Sequence, residues 1–257
     1  MAAYRRDEEG ASWYMMRKEL DREAVEASEG LLGVEREVFI QSMALLAEML
    51  NAAFAGGLVR DLPTKMKIGV ANHAFNLMWS AWQNALTGRY DAATDHWRSI
   101  DESPDFLAAL QVNPSLAKEM LAGKVKIKTA RTTIAKEINR LKAGEGNRWY
   151  ERQKWRGIHN RFAHVDAPGT TAALPISSEG AEPSVLVRPG GGVIHPRNLR
   201  MMALYLAEVA TNFTWWVTFA FQDINEVCEI WETRGREFNQ RGHSILKDCA
   251  SAIGVEV

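Results

Sequence analysis

The sequence predicts an all-α protein, a multi-helix bundle that carries one small β-hairpin insertion. Three observations lead there. Apolar residues recur with helical spacing over most of the chain, as in helices with a buried stripe. Gly56-Gly57, Asp61-Leu62-Pro63 and Asn113-Pro114 interrupt those stretches where helices stop and start. Strand-like patterning is confined to Lys124–Lys128 and to the stretch from Val185 to Ile194. At 257 residues the chain can bury a sizeable core as one domain.

The elements follow in order. From Asp7 to Ser28, Trp13, Met16, Leu20 and Val25 recur within a highly charged stretch, which predicts a surface helix with a narrow apolar stripe. A second helix from Leu31 to Ala55 stops at Gly56-Gly57, and the pair (residues 1–60) is expected to lie against the core. Asp61-Leu62-Pro63 opens a third helix over Lys65 to Leu86, apolar on more than one face and so expected to be buried on several sides. Thr87 to Tyr90 ends it, and a fourth helix covers Asp91 to Asp101. Glu102 to Asp105, with Pro104, reads as a turn before a short fifth helix at Phe106 to Leu110. Asn113-Pro114 starts a sixth.

Lys124–Lys128 alternates like a strand but leads into a basic amphipathic helix from Thr129 to Lys142, with Ile134, Ile138 and Leu141 on one side. After Gly144-Glu145-Gly146 another helix is expected over Trp149 to Val165. From Asp166 to Arg197 the chain holds five prolines and several glycines. There Val185–Val187 and Val193–Ile194 flank Arg188-Pro189-Gly190-Gly191-Gly192 and read as the hairpin. Asn198 to Gln222 closes the bundle core (residues 61–222) as a buried helix, and residues 223–257 form a C-terminal helical extension.

The net charge of −1 hides a strong asymmetry. Residues 1–117 carry a balance of −6 and residues 162–257 one of −4, whereas residues 118–161 hold 13 Lys/Arg against 4 Asp/Glu. A block of +9 attracts polyanions, and Trp149, Tyr150 and Trp155 interleave it with surfaces on which bases can stack. The competing reading is a solvated helix pair whose aromatics face the core. The candidate nucleic-acid contacts are Lys126, Lys128, Arg131, Arg152, Lys154, Trp155 and Arg156.

The longest uncharged apolar run, Val209 to Gln222, is short of the about twenty residues that span a bilayer, so no membrane partner is expected. Cys228 and Cys249 lack ligand-like spacing, which fits a reducing cytoplasm. No HExxH or Cys/His cluster points to a metal, and no P-loop or nucleophile elbow points to a cofactor or a serine hydrolase.

Chemistry concentrates in the run Trp155-Arg-Gly-Ile-His-Asn-Arg-Phe-Ala-His-Val-Asp166. On a helix Arg156, Asn160 and His164 share a face, at i, i+4 and i+8. Two pieces of the chain, about residues 65 to 222 together, resemble the HEPN superfamily (higher eukaryote and prokaryote nucleotide-binding), an all-helical group. One piece is the helix pair from Ala71 to Ala93 ending in His96-Trp-Arg-Ser-Ile-Asp-Glu102. The other is His159-Asn160-Arg161-Phe162-Ala163-His164 ahead of a loop and a long apolar helix.

Active members are similar in an Arg-Asn-x-x-x-His signature and act as metal-independent ribonucleases, usually as dimers. The resemblance implies that His164 is the acid/base, Asn160 the orienting polar residue, and that His159 stands where the signature has arginine. A guanidinium is always charged and clamps phosphate in a fixed fork, which a histidine near neutral pH does not match. Arg161 or Arg156 would then supply the clamp. The resemblance also implies RNA or nucleotide as ligand, a homodimer, a role in phage defence or a toxin–antitoxin system, and an antitoxin or operon partner. The alternatives are that His164 caps a helix end while Asn160 and His159 satisfy loop carbonyls, and that the whole chain is a non-catalytic interaction or dimerisation module.

Overall fold

The computed structural model describes residues 2–57, 61–137, 176–177, 184–185, 194 and 196–252, with side chains of the first helix from Tyr14 onward. The fold is an all-α multi-helix bundle: α1 (Ala2–Leu31), α2 (Val34–Gly57), α3 (Leu62–Leu86), α4 (Tyr90–Asp95), α5 (Trp97–Val112), α6 (Leu116–Leu121) and α7 (Ile127–Glu137) precede α8 (Pro196–Ala220), α9 (Asn225–Ile230) and α10 (Arg236–Ala252).

The central helix is α8. It packs against α2, α3, α5 and α10, so apolar residues on several of its faces are buried, from Leu199 through Leu206 and Phe213 to Val217. The uncharged Val209–Gln222 run made that burial readable in advance. Across from it, Phe39 of α2 is fully buried and stacks on Trp82 of α3 at 4.1 Å between ring centroids. α3 starts where Asp61 accepts a hydrogen bond from the Thr64 amide at 3.0 Å, with Pro63 in the first turn, the ordinary chemistry of a helix N-terminus. Its buried positions Ala71, Ala74, Met78, Ala81, Trp82 and Ala85 form one helical stripe, while Trp79 stays 43% exposed. The expected burial on several sides is thus reduced to one fully covered face with half-buried flanks.

Val34–Ala55 is the one described stretch long and apolar enough to cross a membrane by length and composition, and half of its most apolar window is buried in the bundle. Its apolar positions, including Leu46 and Met49, lie in the same core as those of α8.

Two expectations are corrected. The helix break expected at Glu102–Asp105 falls instead at His96, and α5 runs through Pro104. A proline in a helix interior loses a hydrogen bond and costs about 3 kcal/mol. Ile100, Leu107, Ala108 and Leu110, all buried around it, offset that cost. The stripe expected to bind α1 is also different. Met16 and Leu20 are 56% and 37% exposed, while Arg17, Asp21, Val25 and Ser28 face the bundle. The Asp21 carboxylate accepts two bonds from Arg89 at 2.6 Å, and the Ser28 hydroxyl donates to the Leu86 carbonyl at 2.7 Å. These polar ties set the rotation of α1. In the segment where a hairpin is expected, Val185 pairs antiparallel with Ile176 and Ile194 is in no strand, while residues 186–193 of the expected hairpin lie outside the described residues.

A π-turn, Trp231–Gly235, joins α9 to α10. The Trp231 ring lies close to Gly235, where an added Cβ would come within 2.6 Å of Trp231 Cε3. Gly235→Ala is expected to displace that ring and to cost about 1–3 kcal/mol, as overpacking usually does. Thermal unfolding followed by tryptophan fluorescence checks it; an unchanged Tm and spectrum would show that the turn tolerates the methyl group.

Candidate functional site

Of the residues singled out in the sequence, Lys126, Lys128 and Arg131 lie in the described structure. His159, Asn160, Arg161 and His164 lie outside the described residues, as do Arg152, Lys154, Trp155 and Arg156. The described part of the basic block runs from α6 through the connection at Lys124–Lys126 into α7.

That segment is built on an apolar underside. Leu116 and Ala117 of α6 are buried, and Ala130 and Ile134 of α7 are fully buried where α7 packs against α5. α7 starts at Ile127, so the alternating Lys124–Lys128 stretch is a connection followed by helix, with no strand. With the apolar side inward, Lys118, Lys124, Lys126 and Lys128 are all exposed, and none forms an ion pair with another described residue. Four lysines therefore present their charge to solvent along one short segment.

Arg131 differs. Its Nε donates to Asp105 Oδ2 at 3.1 Å, and the Asp105 side chain is 1% exposed while that of Arg131 is 33% exposed. The guanidinium neutralises a carboxylate buried in α5 and ties α7 to it. Arg131 is thus placed to position the lysine segment, and its charge is shared with Asp105. Nothing in the sequence marked Asp105 as its partner, 26 residues away on another helix.

The polar end of α4 and α5 is settled by short contacts. Arg98 pairs with Glu102 at 3.1 Å, one turn on, as their spacing predicts. His96 Nε2 lies 3.1 Å from the Ser80 hydroxyl, and Tyr205 of α8 donates to Asp101 at 3.3 Å. Trp216 is buried and meets Trp215 edge-on, which agrees with core packing. Among the described residues no group of three or more His, Cys, Asp or Glu is placed to hold a metal ion.

Cys228 and Cys249 are free thiols. Burial pushes both upward, reinforced at Cys228 by Asp223 and Glu232 and at Cys249 by Glu35, with Arg200 opposing. Less thiolate is present near neutral pH than in a free cysteine, so both are expected to react more slowly with a thiol reagent at pH 7.5. Timed labelling against a short cysteine peptide checks this. Labelling of either thiol at the peptide's rate would contradict the described burial.

No family model, no curated protein and no solved structure matches this chain.

Proposed function

We propose that this protein is directed at RNA and is HEPN-like, with the lysine segment from Lys118 to Lys128 holding the phosphate backbone and the His159–His164 run carrying the chemistry. The observation that carries the reading is the row of exposed lysines without carboxylate partners among the described residues. Such charges bind a polyanion by releasing its counterions, and they do so without reading sequence.

The chemistry proposed for the His159–His164 run needs no metal. His164 takes the proton from a ribose 2′-hydroxyl, which attacks the neighbouring phosphorus as the bond to the 5′-oxygen breaks, and the leaving 5′-oxygen takes a proton from water. Arg161 or Arg156 stabilises the charge on the phosphate oxygens, and Asn160 orients the group in flight. A cytoplasmic setting, a homodimer and an antitoxin or operon partner in a defence system belong to the same reading.

Binding of a fluorescent single-stranded RNA at 50 and 200 mM salt tests the first half. Affinity that falls steeply with salt is expected; no binding at 50 mM would remove the reading.

A second reading, a non-catalytic interaction or dimerisation module, has its own support in α1. Tyr14, Met15 and Met16 are each more than half exposed on its outer side. Sedimentation of the full chain with Met15→Glu and Met16→Glu tests this reading: a dimer lost in the double variant, with RNA binding absent in the wild type, would favour it.

A further inference from the structure

A cleft of about 410 Å³ opens between α2 and the start of α10, against the π-turn. Its size is that of a small-molecule pocket. It is separate from the lysine segment, and its charge is of a different kind: Glu48 and Glu237 face Arg234 and Arg241, a balance of zero. A polyanion gains nothing from such a site.

Half of that charge is already used. Arg234, within the π-turn, forms an ion pair with Glu48 across one end of the cleft. At the other end Gln41 donates to Glu37 at 3.0 Å, and its carbonyl meets Arg241 at the long distance of 3.5 Å. A neutral amide at that range satisfies little of a guanidinium. Glu237 forms no ion pair with any described residue, and Arg241 forms none either. These two stand one helical turn apart on α10, about 6 Å along its axis, with opposite signs. Between them is Phe238, half-buried, and facing them from α2 is buried Leu45. One cation, one anion and an apolar wall thus meet in one cleft. The π-turn matters because it re-aims the first turn of α10, and such turns recur at functional sites.

We infer that this cleft binds a small zwitterion bearing an apolar side chain, of the amino-acid kind, with its carboxylate on Arg241 and its ammonium on Glu237. The side chain lies against Leu45 and Phe238. This site is independent of the RNA reading and stands if that reading fails.

Titration calorimetry of the full chain with L-leucine and L-phenylalanine, beside their amides and N-acetyl forms, tests it. Saturable one-site binding of the zwitterions is expected, weakened about tenfold or more when either charge is blocked. Arg241→Gln should weaken the free amino acid while leaving the amide unchanged. Glu237→Gln should weaken it while leaving the N-acetyl form unchanged. Unchanged Tm in both variants shows that the fold is intact, since both positions are exposed. No saturable binding of the zwitterions by the wild type, equal affinity for the blocked forms, or variants that bind like the wild type would each overturn the assignment.

Discussion

Arg131→Ala is expected to destabilise the folded chain by about 3 kcal/mol, the low end of the cost of breaking a buried ion pair. The substitution removes the Arg131 guanidinium from the Asp105 carboxylate, 1% exposed in α5, and leaves that carboxylate only its other interactions. The low end applies because the Arg131 side is one-third exposed and because Asp105 keeps a further interaction when Arg131 is lost. For a chain of this size that corresponds to a fall in Tm of about 6–12 °C. Adding Asp105→Asn removes the buried charge, and the double variant should recover a large part of the loss. Thermal or urea unfolding of the three proteins decides it. A single variant as stable as the wild type would mean that the pair does not hold α7 against α5.

Replacing Lys118, Lys124, Lys126 and Lys128 together by glutamine is expected to change binding far more than stability. All four are exposed, so the fold should be kept, with a Tm near that of the wild type. Four phosphate contacts to a single strand contribute about 2.8 to the slope of log affinity against log salt. Their removal should flatten the salt dependence by that amount and weaken binding by about two orders of magnitude at 0.15 M salt. Each single replacement should flatten the slope by about 0.7. Fluorescence anisotropy over a salt series reads both quantities. Four replacements that leave slope and affinity unchanged would place the RNA contact elsewhere.

What the amino-acid pattern predicted well is what depends on local periodicity. All but the last two residues of the uncharged Val209–Gln222 run belong to the helix at the centre of the bundle, and Asp61-Leu62-Pro63 opens α3 with a capping bond. Where the pattern misled, a distant partner outweighed local preference. Pro104 signals a turn, yet buried neighbours on both sides carry α5 through it. Met16 and Leu20 look like the bundle-facing stripe of α1, yet Arg89, 68 residues from Asp21, rotates them outward.

The candidate site divides in the same way. The excess of lysine was countable in one dimension, and its exposure follows from the apolar underside of α6 and α7. The engagement of Arg131 was not countable, because it depends on a carboxylate of α5. Nor was the cleft between α2 and α10, whose facing side chains Gln41 and Arg241 are 200 residues apart. The His159–His164 run remains a reading of sequence alone, since it lies outside the described residues.

The most direct test of the proposed reaction is cleavage of a labelled single-stranded RNA pool in EDTA by the wild type and by His164→Ala. The expected result is cleavage by the wild type, unaffected by the chelator, that disappears in the variant. Equal cleavage by both proteins, or none by the wild type at high concentration over a long incubation, would contradict a metal-independent ribonuclease centred on His164.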